Sequence, residues 1–170
     1  MKPLTDTLLF EVLDRMPVAR LALRDFDDAP MALPIVVARA ANALWSPIDG
    51  KPKQSGANLG RLARIERAPR VMLLFDHYGD DWSGLWWIRL RCLATIARED
   101  HADWAAGIAA LTAKYPQYQQ TAMFKDEPIM VRFQWAGVSW WSSSPDAISR
   151  WVSSRRSGGP DALPGSEEEQ

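Results

Sequence analysis

The sequence predicts an α+β or mainly-β barrel of six or seven antiparallel strands with two or three helices packed around it. Three observations carry this. Residues 18–47 hold strand-length apolar runs separated by tight turn signals, the composition of an antiparallel meander or barrel. Residues 85–97 alternate, with Trp87, Arg89 and Arg91 interleaved with Ile88, Leu90 and Cys92, which gives a long strand one polar face. Elsewhere the apolar period switches to that of a helix.

In chain order, Leu8, Leu9, Val12 and Leu13 form one apolar helical face, with Thr5 or Asp6 to cap it and Pro17 to stop it. A strand follows over 18–24, then a turn over 25–30 and a second strand over 31–39, the pair reading as a hairpin. Pro34 lacks an amide donor, so that second strand needs an edge position or a bulge. After a turn at Ala41-Asn42, a short strand runs over 43–47. Ser55 or Asn58 can cap the next helix, in which Leu59, Leu62 and Ile65 share one face and Arg61, Arg64 and Arg67 the neighbouring one; Pro69 ends it. That spacing leaves the arginines wet or facing a ligand. A strand over 70–77, the long strand over 85–97 and a helix capped by Asp100 through Trp104, Ile108, Leu111 and Tyr115 come next. Residues 129–135 and 138–142 read as a hairpin about Ala136-Gly137. Residues 1–152 make one domain, and residues 153–170, rich in Gly, Pro and Ser and ending in an acidic run, read as a flexible acidic tail.

Composition narrows the function. The chain has 170 residues, 47% of them hydrophobic, enough to bury a core without metal or disulfide support. One cysteine rules out an internal disulfide, and two histidines, His77 and His101, leave little for metal chemistry, so no metal site is expected. Charged residues interrupt the N-terminal apolar run as no signal peptide would allow, and no segment is long enough to span a bilayer, so a cytoplasmic protein without a membrane partner is expected. A net charge of −1 lacks the broad basic footprint of a nucleic-acid binder.

The charge is local instead. Between Lys51 and Arg70 stand six basic residues and one acid, which points to an anionic partner or to a solvated helix face. Lys51 and Lys53 immediately precede a helix N-terminus, whose free amides also favour an anion, so a phosphate cradle is expected there. No Walker loop and no dinucleotide-binding glycine pattern occur. Nine tryptophans, two pairs of them adjacent (Trp86-Trp87, Trp140-Trp141), place one ring of each pair toward the core and one away from it, where it can line an interface or stack on a planar ligand. Asp76, His77, Asp80, Asp81 and Trp82 crowd one turn. His77 there fits a hydrogen-bonding role near a cofactor ring or a structural one, and Cys92 reads as a small core residue.

The blocks Ala19–Leu23, Leu33-Pro34, Asp49-Gly50-Lys51-Pro52-Lys53, Pro69-Arg70-Val71, Asp76-His77-Tyr78, Asp81-Trp82-Ser83, Leu85-Trp86-Trp87 and Lys114-Tyr115-Pro116-Gln117-Tyr118, in this order, resemble the pyridoxamine 5′-phosphate oxidase-like split-barrel proteins. Within these the chain looks most like the subgroup named as deazaflavin (coenzyme F420)-dependent oxidoreductases. The resemblance covers roughly residues 8–142 and implies a split β-barrel homodimer with a flavin-type cofactor in clefts at the subunit interface. It would put the cofactor phosphate at Lys51 and Lys53, and the ring beside Arg20, Leu21 and Ala22 and beside Ser46, Pro47, Ile48 and Asp49. His77, Trp82, Trp87 and Trp140 would lie near the ring, with Arg61 and Arg64 as secondary phosphate or tail contacts. Two departures stand out: Asp28 where relatives carry glycine, and Met31 where histidine is common. The Arg-Leu-x-Pro ending of true pyridoxamine-phosphate oxidases does not occur.

The expected activity is therefore an FMN-binding oxidoreductase passing hydride or electrons to a small organic substrate, with the protein supplying orientation and electrostatics. His77 and Tyr78 are the proton-donor candidates. A deazaflavin-dependent reductase is the alternative, whose longer anionic tail would need more of Arg61, Arg64 and Arg67. A non-catalytic flavin or haem binding or sensing module is the other.

Overall fold

The computed structural model describes residues 3–48, 57–124 and 127–157. Seven strands form one antiparallel sheet in the order β2-β1-β5-β6-β7-β4-β3, with four α-helices around it. The strands are β1 (Ala19–Arg24), β2 (Pro30–Ile35), β3 (Ala38–Ala40), β4 (Ala43–Pro47), β5 (Arg70–His77), β6 (Trp86–Ala97) and β7 (Met130–Ser142). The helices are α1 (Asp6–Arg15), α2 (Ala57–Arg67), α3 (Trp104–Lys114) and α4 (Ala147–Ser157).

The topology makes a barrel. β2 and β3 are the two edges of the sheet, yet only Val36 and Val37 separate them in sequence. Three residue steps reach about 10 Å, so the sheet must curl until its edges nearly meet. The edges are not hydrogen-bonded to each other, and the barrel stays split there. The expected single strand over 31–39 is thus two strands on opposite edges. Pro34 sits on edge strand β2 opposite Arg20, where its missing donor has no ladder to interrupt.

Local chemistry sets most boundaries. Thr5 caps α1 by accepting from the Leu8 amide at 3.2 Å. Ala41 and Asn42, with φ of 47° and 57°, make the two-residue β3–β4 turn in the mirror-image form that hairpin twist favours. α3 begins after Asp103, whereas Asp100 was expected as its cap; the His101 ring accepts from the Asp103 amide at 3.1 Å instead.

Two differences from expectation matter below. Residues 130–142 form one continuous strand, with Ala136 as a bulge facing the step between Arg91 and Cys92. Pairing with the twelve-residue β6 holds the chain extended through Ala136-Gly137, so no hairpin forms. The helix count is four because residues 147–157 also form a helix. α4 buries Ala147, Ile148, Trp151 and Val152 against the core, and its last turns extend into the stretch read as the start of the tail. Residues 158–170 lie outside the described residues.

The main core fills the barrel with Leu21, Leu73, Phe75, Trp86, Ile88, Leu90 and Phe133, closed by Val12 and Leu13 of α1 and Ile65 of α2. A second cluster, Trp45, Leu111, Tyr115 and Met130, seats α3 on β4 and β7. Among the described residues no helix is long and apolar enough to cross a membrane.

Candidate functional site

Strand alternation divides the expected site residues between two faces. On β1, Leu21 is buried in the barrel, while Arg20 and Ala22 point outward with Arg24. The pairing carries this outward face across the sheet: Arg20 lies opposite Leu74, Ala22 opposite Met72, Asp76 opposite Trp87 and Met72 opposite Arg91. Arg20 Nε donates to Asp76 Oδ1 at 2.8 Å. The Arg89 guanidinium lies 5.2 Å over the Trp87 ring and donates from Nε to Ser139 Oγ at 3.2 Å.

Trp87 faces Trp141 across the β6–β7 ladder, and Trp140 faces Ile88 on the core side. The Ala136 bulge explains why. Before it, the odd residues Val131, Phe133 and Trp135 pair with the inward residues of β6; after it, the even residues Trp140 and Ser142 do. Trp140 therefore packs partly into the core, and Trp141, 39% exposed, is the outward ring of the pair.

On this outward face lies a groove of about 770 Å³. Ala22, Met72, Leu93 and Ala136 form an apolar floor, and Arg24, Arg70 and Arg91 stand at its edge with a single acid, Asp28. Asp28 is itself engaged by Arg67 at 2.6 Å. Among the described residues, Arg70 and Arg91 have no hydrogen-bond or ion-pair partner. Arg91 lies against Gly137, where a Cβ would stand 2.5 Å from its Nη2. Sequence reasoning did not single out Arg91 as a site residue, although the alternation on β6 had already assigned it to the polar face. Cys92 at the groove's edge is inert: burial pushes its thiol up to about 12.

The α2 arginines have other work. Arg64 donates to Asp25 Oδ1 at 2.7 Å and lies 4.5 Å over the Phe26 ring. Arg67 reaches the Asp25 carbonyl at 2.8 Å and Asp28 Oδ1 at 2.6 Å. They clasp the β1–β2 turn, where Asp28 adopts a left-handed φ of 65°, the conformation that suits glycine. The Arg64 hydrogen bond holds the Asp25 carboxyl below its ordinary range. Arg61 is buried.

Ser46 and Pro47 are buried on β4, and Ile48 packs partly against the core. Asp49, Lys51 and Lys53 lie outside the described residues. His77 lies opposite the buried Trp86, across β5 from the groove face, and lines a smaller cavity beside α4. Tyr78 is 60% exposed just after it. Trp82, 75% exposed, is carried by a short 3-10 turn that Asp81 caps through the Ser83 amide at 2.9 Å. No group of three or more metal-ligating side chains occurs among the described residues.

Solved structures share this architecture. A conserved hypothetical protein from Mycobacterium tuberculosis superposes with a TM-score of 0.63 at 15% identity, over 96% of this chain and 94% of its own. The heme storage protein HutZ from Vibrio cholerae gives 0.62 at 13% identity, over 81% and 93%. A FAD-binding protein from Mesorhizobium loti gives 0.59 at 15%, over 80% and 91%. This chain has their fold. No family model and no curated protein matches its sequence.

Proposed function

We propose that this protein is a flavin-binding oxidoreductase that works as a homodimer, with the cofactor phosphate held by Lys51 and Lys53 and the ring laid on the outward face of β1, β5, β6 and β7. The observation that carries the reading is that face itself: an apolar floor that no helix covers among the described residues, bordered by Arg70 and Arg91, which have no hydrogen-bond or ion-pair partner among those residues. A planar, amphipathic anion matches it, since an aromatic ring covers apolar surface while guanidinium groups take phosphate or an anionic ring edge. The pair Trp87 and Trp141, with Leu93, 47% exposed, further along β6 on the same side, gives this face the character of an interface between two copies.

When bound, the cofactor supplies hydride or electron transfer. The chain's own residues bind it and exclude water. Arg89, oriented by Ser139, presents positive charge on this face, which would support an anionic reduced ring, while Arg20 is ion-paired with Asp76. Tyr78 is the proposed proton donor to a small organic substrate, because His77 faces the smaller cavity. FMN is favoured over the deazaflavin, since Arg64 and Arg67, which a longer anionic tail would need, are spent on the β1–β2 turn.

Titrating cofactor-stripped protein with FMN, the deazaflavin and haem, read by tryptophan fluorescence, tests the reading. Saturable quenching by FMN that Lys53→Ala weakens about tenfold or more is expected from the loss of one charge-assisted contact. Binding of haem alone would favour storage or sensing over catalysis, as would no oxidation of reduced FMN by quinone or enone acceptors above the free-cofactor rate.

A further inference from the structure

The outward sheet face carries more positive charge than a flavin brings negative charge to meet. Building on the flavin reading of this face, on which the inference rests, we propose that its substrate is an organic carboxylate. The acid is short and aromatic or conjugated, with its carboxylate held between Arg70 and Arg91.

The two arginines converge by register. Met72 pairs with Arg91 and Arg70 with Leu93, so Arg70 and Arg91 are diagonal neighbours on one face of β5 and β6, about 7–8 Å apart at the backbone. Two long side chains at that spacing can reach one carboxylate between them. Arg91 is opposite Gly137 in the β6–β7 ladder and lies against it, where a Cβ would stand 2.5 Å from Nη2 and 2.8 Å from Nε. The missing side chain leaves the room in which the guanidinium rests on the sheet beside the groove's apolar floor.

The positive charge is uncompensated. Among the described residues no acid pairs with Arg70, Arg89 or Arg91, and Arg89 donates to the neutral hydroxyl of Ser139. Asp28, the single acid lining the groove, accepts from Arg67 at 2.6 Å and lies 3.8 Å from Arg24. In the proposed complex Lys51 and Lys53 hold the cofactor phosphate, about two negative charges, and an anionic reduced ring supplies one more. One such charge among three arginines leaves the face positive, and an anionic substrate completes the balance.

The floor defines the rest of the ligand. Ala22, Met72, Leu93 and Ala136 present apolar surface, so the body beside the carboxylate is apolar too. Arg91 follows Arg89 on the same face of β6 by one two-residue step, about 7 Å, and Trp87 lies one step beyond Arg89. A carboxylate held at Arg91 therefore leaves a short conjugated body within reach of the residues proposed to meet the ring.

Benzoate, and benzamide as its neutral isostere, are titrated calorimetrically into the full-length protein at saturating FMN. Benzoate should bind saturably and about tenfold or more tighter than benzamide, the worth of one charge-assisted contact. Arg70→Met keeps the aliphatic stem and should bring the two affinities together, with the circular dichroism unchanged. The proposal is overturned if neither ligand binds, if benzamide binds as tightly as benzoate, if benzoate binds only by displacing FMN, or if Arg70→Met preserves the preference. Failure of FMN itself to bind would sink the cofactor reading separately. The same two ligands titrated into cofactor-free protein then decide the carboxylate site: a preference for benzoate that Arg70→Met removes supports it, and equal affinities overturn it.

Discussion

Lys114 Nζ donates a 2.8 Å hydrogen bond to the carbonyl of Val37, across 77 residues of sequence, at the crossover where the barrel splits. The same ammonium donates to the Leu13 carbonyl at 2.7 Å, and the neighbouring Tyr115 hydroxyl donates to the Pro17 carbonyl at 2.9 Å and accepts from the Val37 amide at 3.1 Å. One dipeptide therefore holds the end of α1 and the β2–β3 crossover together. Burial lowers the Lys114 pKa to about 8 from 10.5. Between these values the unfolded chain binds more protons at this group than the folded one, so stability should rise with pH from about 8 to 9, above which the buried Cys92 thiol, pushed from 9 up to about 12, acts in the opposite sense. Urea midpoints measured from pH 7 to 11 check this, and Lys114→Met should abolish the rise.

Gly107 of α3 faces Trp45, and a Cβ there would stand 2.8 Å from the indole Cδ2. Trp45 is fully buried and has nowhere to move. Gly107→Ala should destabilise by about 1–3 kcal/mol through overpacking, despite alanine's better helix propensity. Denaturant unfolding reads the difference.

Gly137→Ala is the contrasting case. Its Cβ would meet the far end of Arg91, which can swing away, so stability should change by less than about 1 kcal/mol. Affinity for an anionic ring on the groove face should nevertheless fall, because the guanidinium leaves its place. Thermal unfolding and FMN titration on the same sample separate the two effects.

Leu93→Glu places a charge on the exposed outward face. If two copies meet there, sedimentation should show a shift from dimer to monomer with the monomer's circular dichroism unchanged.

Arg64→Ala should loosen the β1–β2 turn by up to about 1 kcal/mol, the worth of a partly exposed ion pair. Phosphate-cofactor affinity should be unaffected, since Arg64 serves Asp25 and Phe26.

Most elements were legible along the chain because they follow from short-range chemistry. The alternation on β6, the Thr5 cap, the Ala41-Asn42 turn and the edge position of Pro34 each depend on a few neighbouring residues. The helix at 147–157 was missed because three arginines and four serines give its sequence the look of a tail; its buried face becomes apparent only where Trp151 meets Trp86 at 5.0 Å.

The sequence by itself determined an antiparallel barrel, a basic segment at 51–70 and tryptophans set in adjacent pairs with one ring to each face. Only the tertiary structure decided which tryptophan faces out and which arginines have partners among the described residues. A one-residue bulge at Ala136 reverses the parity of the rest of β7, and no local pattern places that bulge, because it arises from pairing with β6. Likewise Arg64 on a helix face and Arg91 on a strand face carry the same charge, each among arginines at regular spacing. Asp25, 39 residues away from Arg64, engages one of them, and nothing among the described residues engages the other. Charge is written in the sequence, but its compensation depends on distances that exist only once the chain has folded.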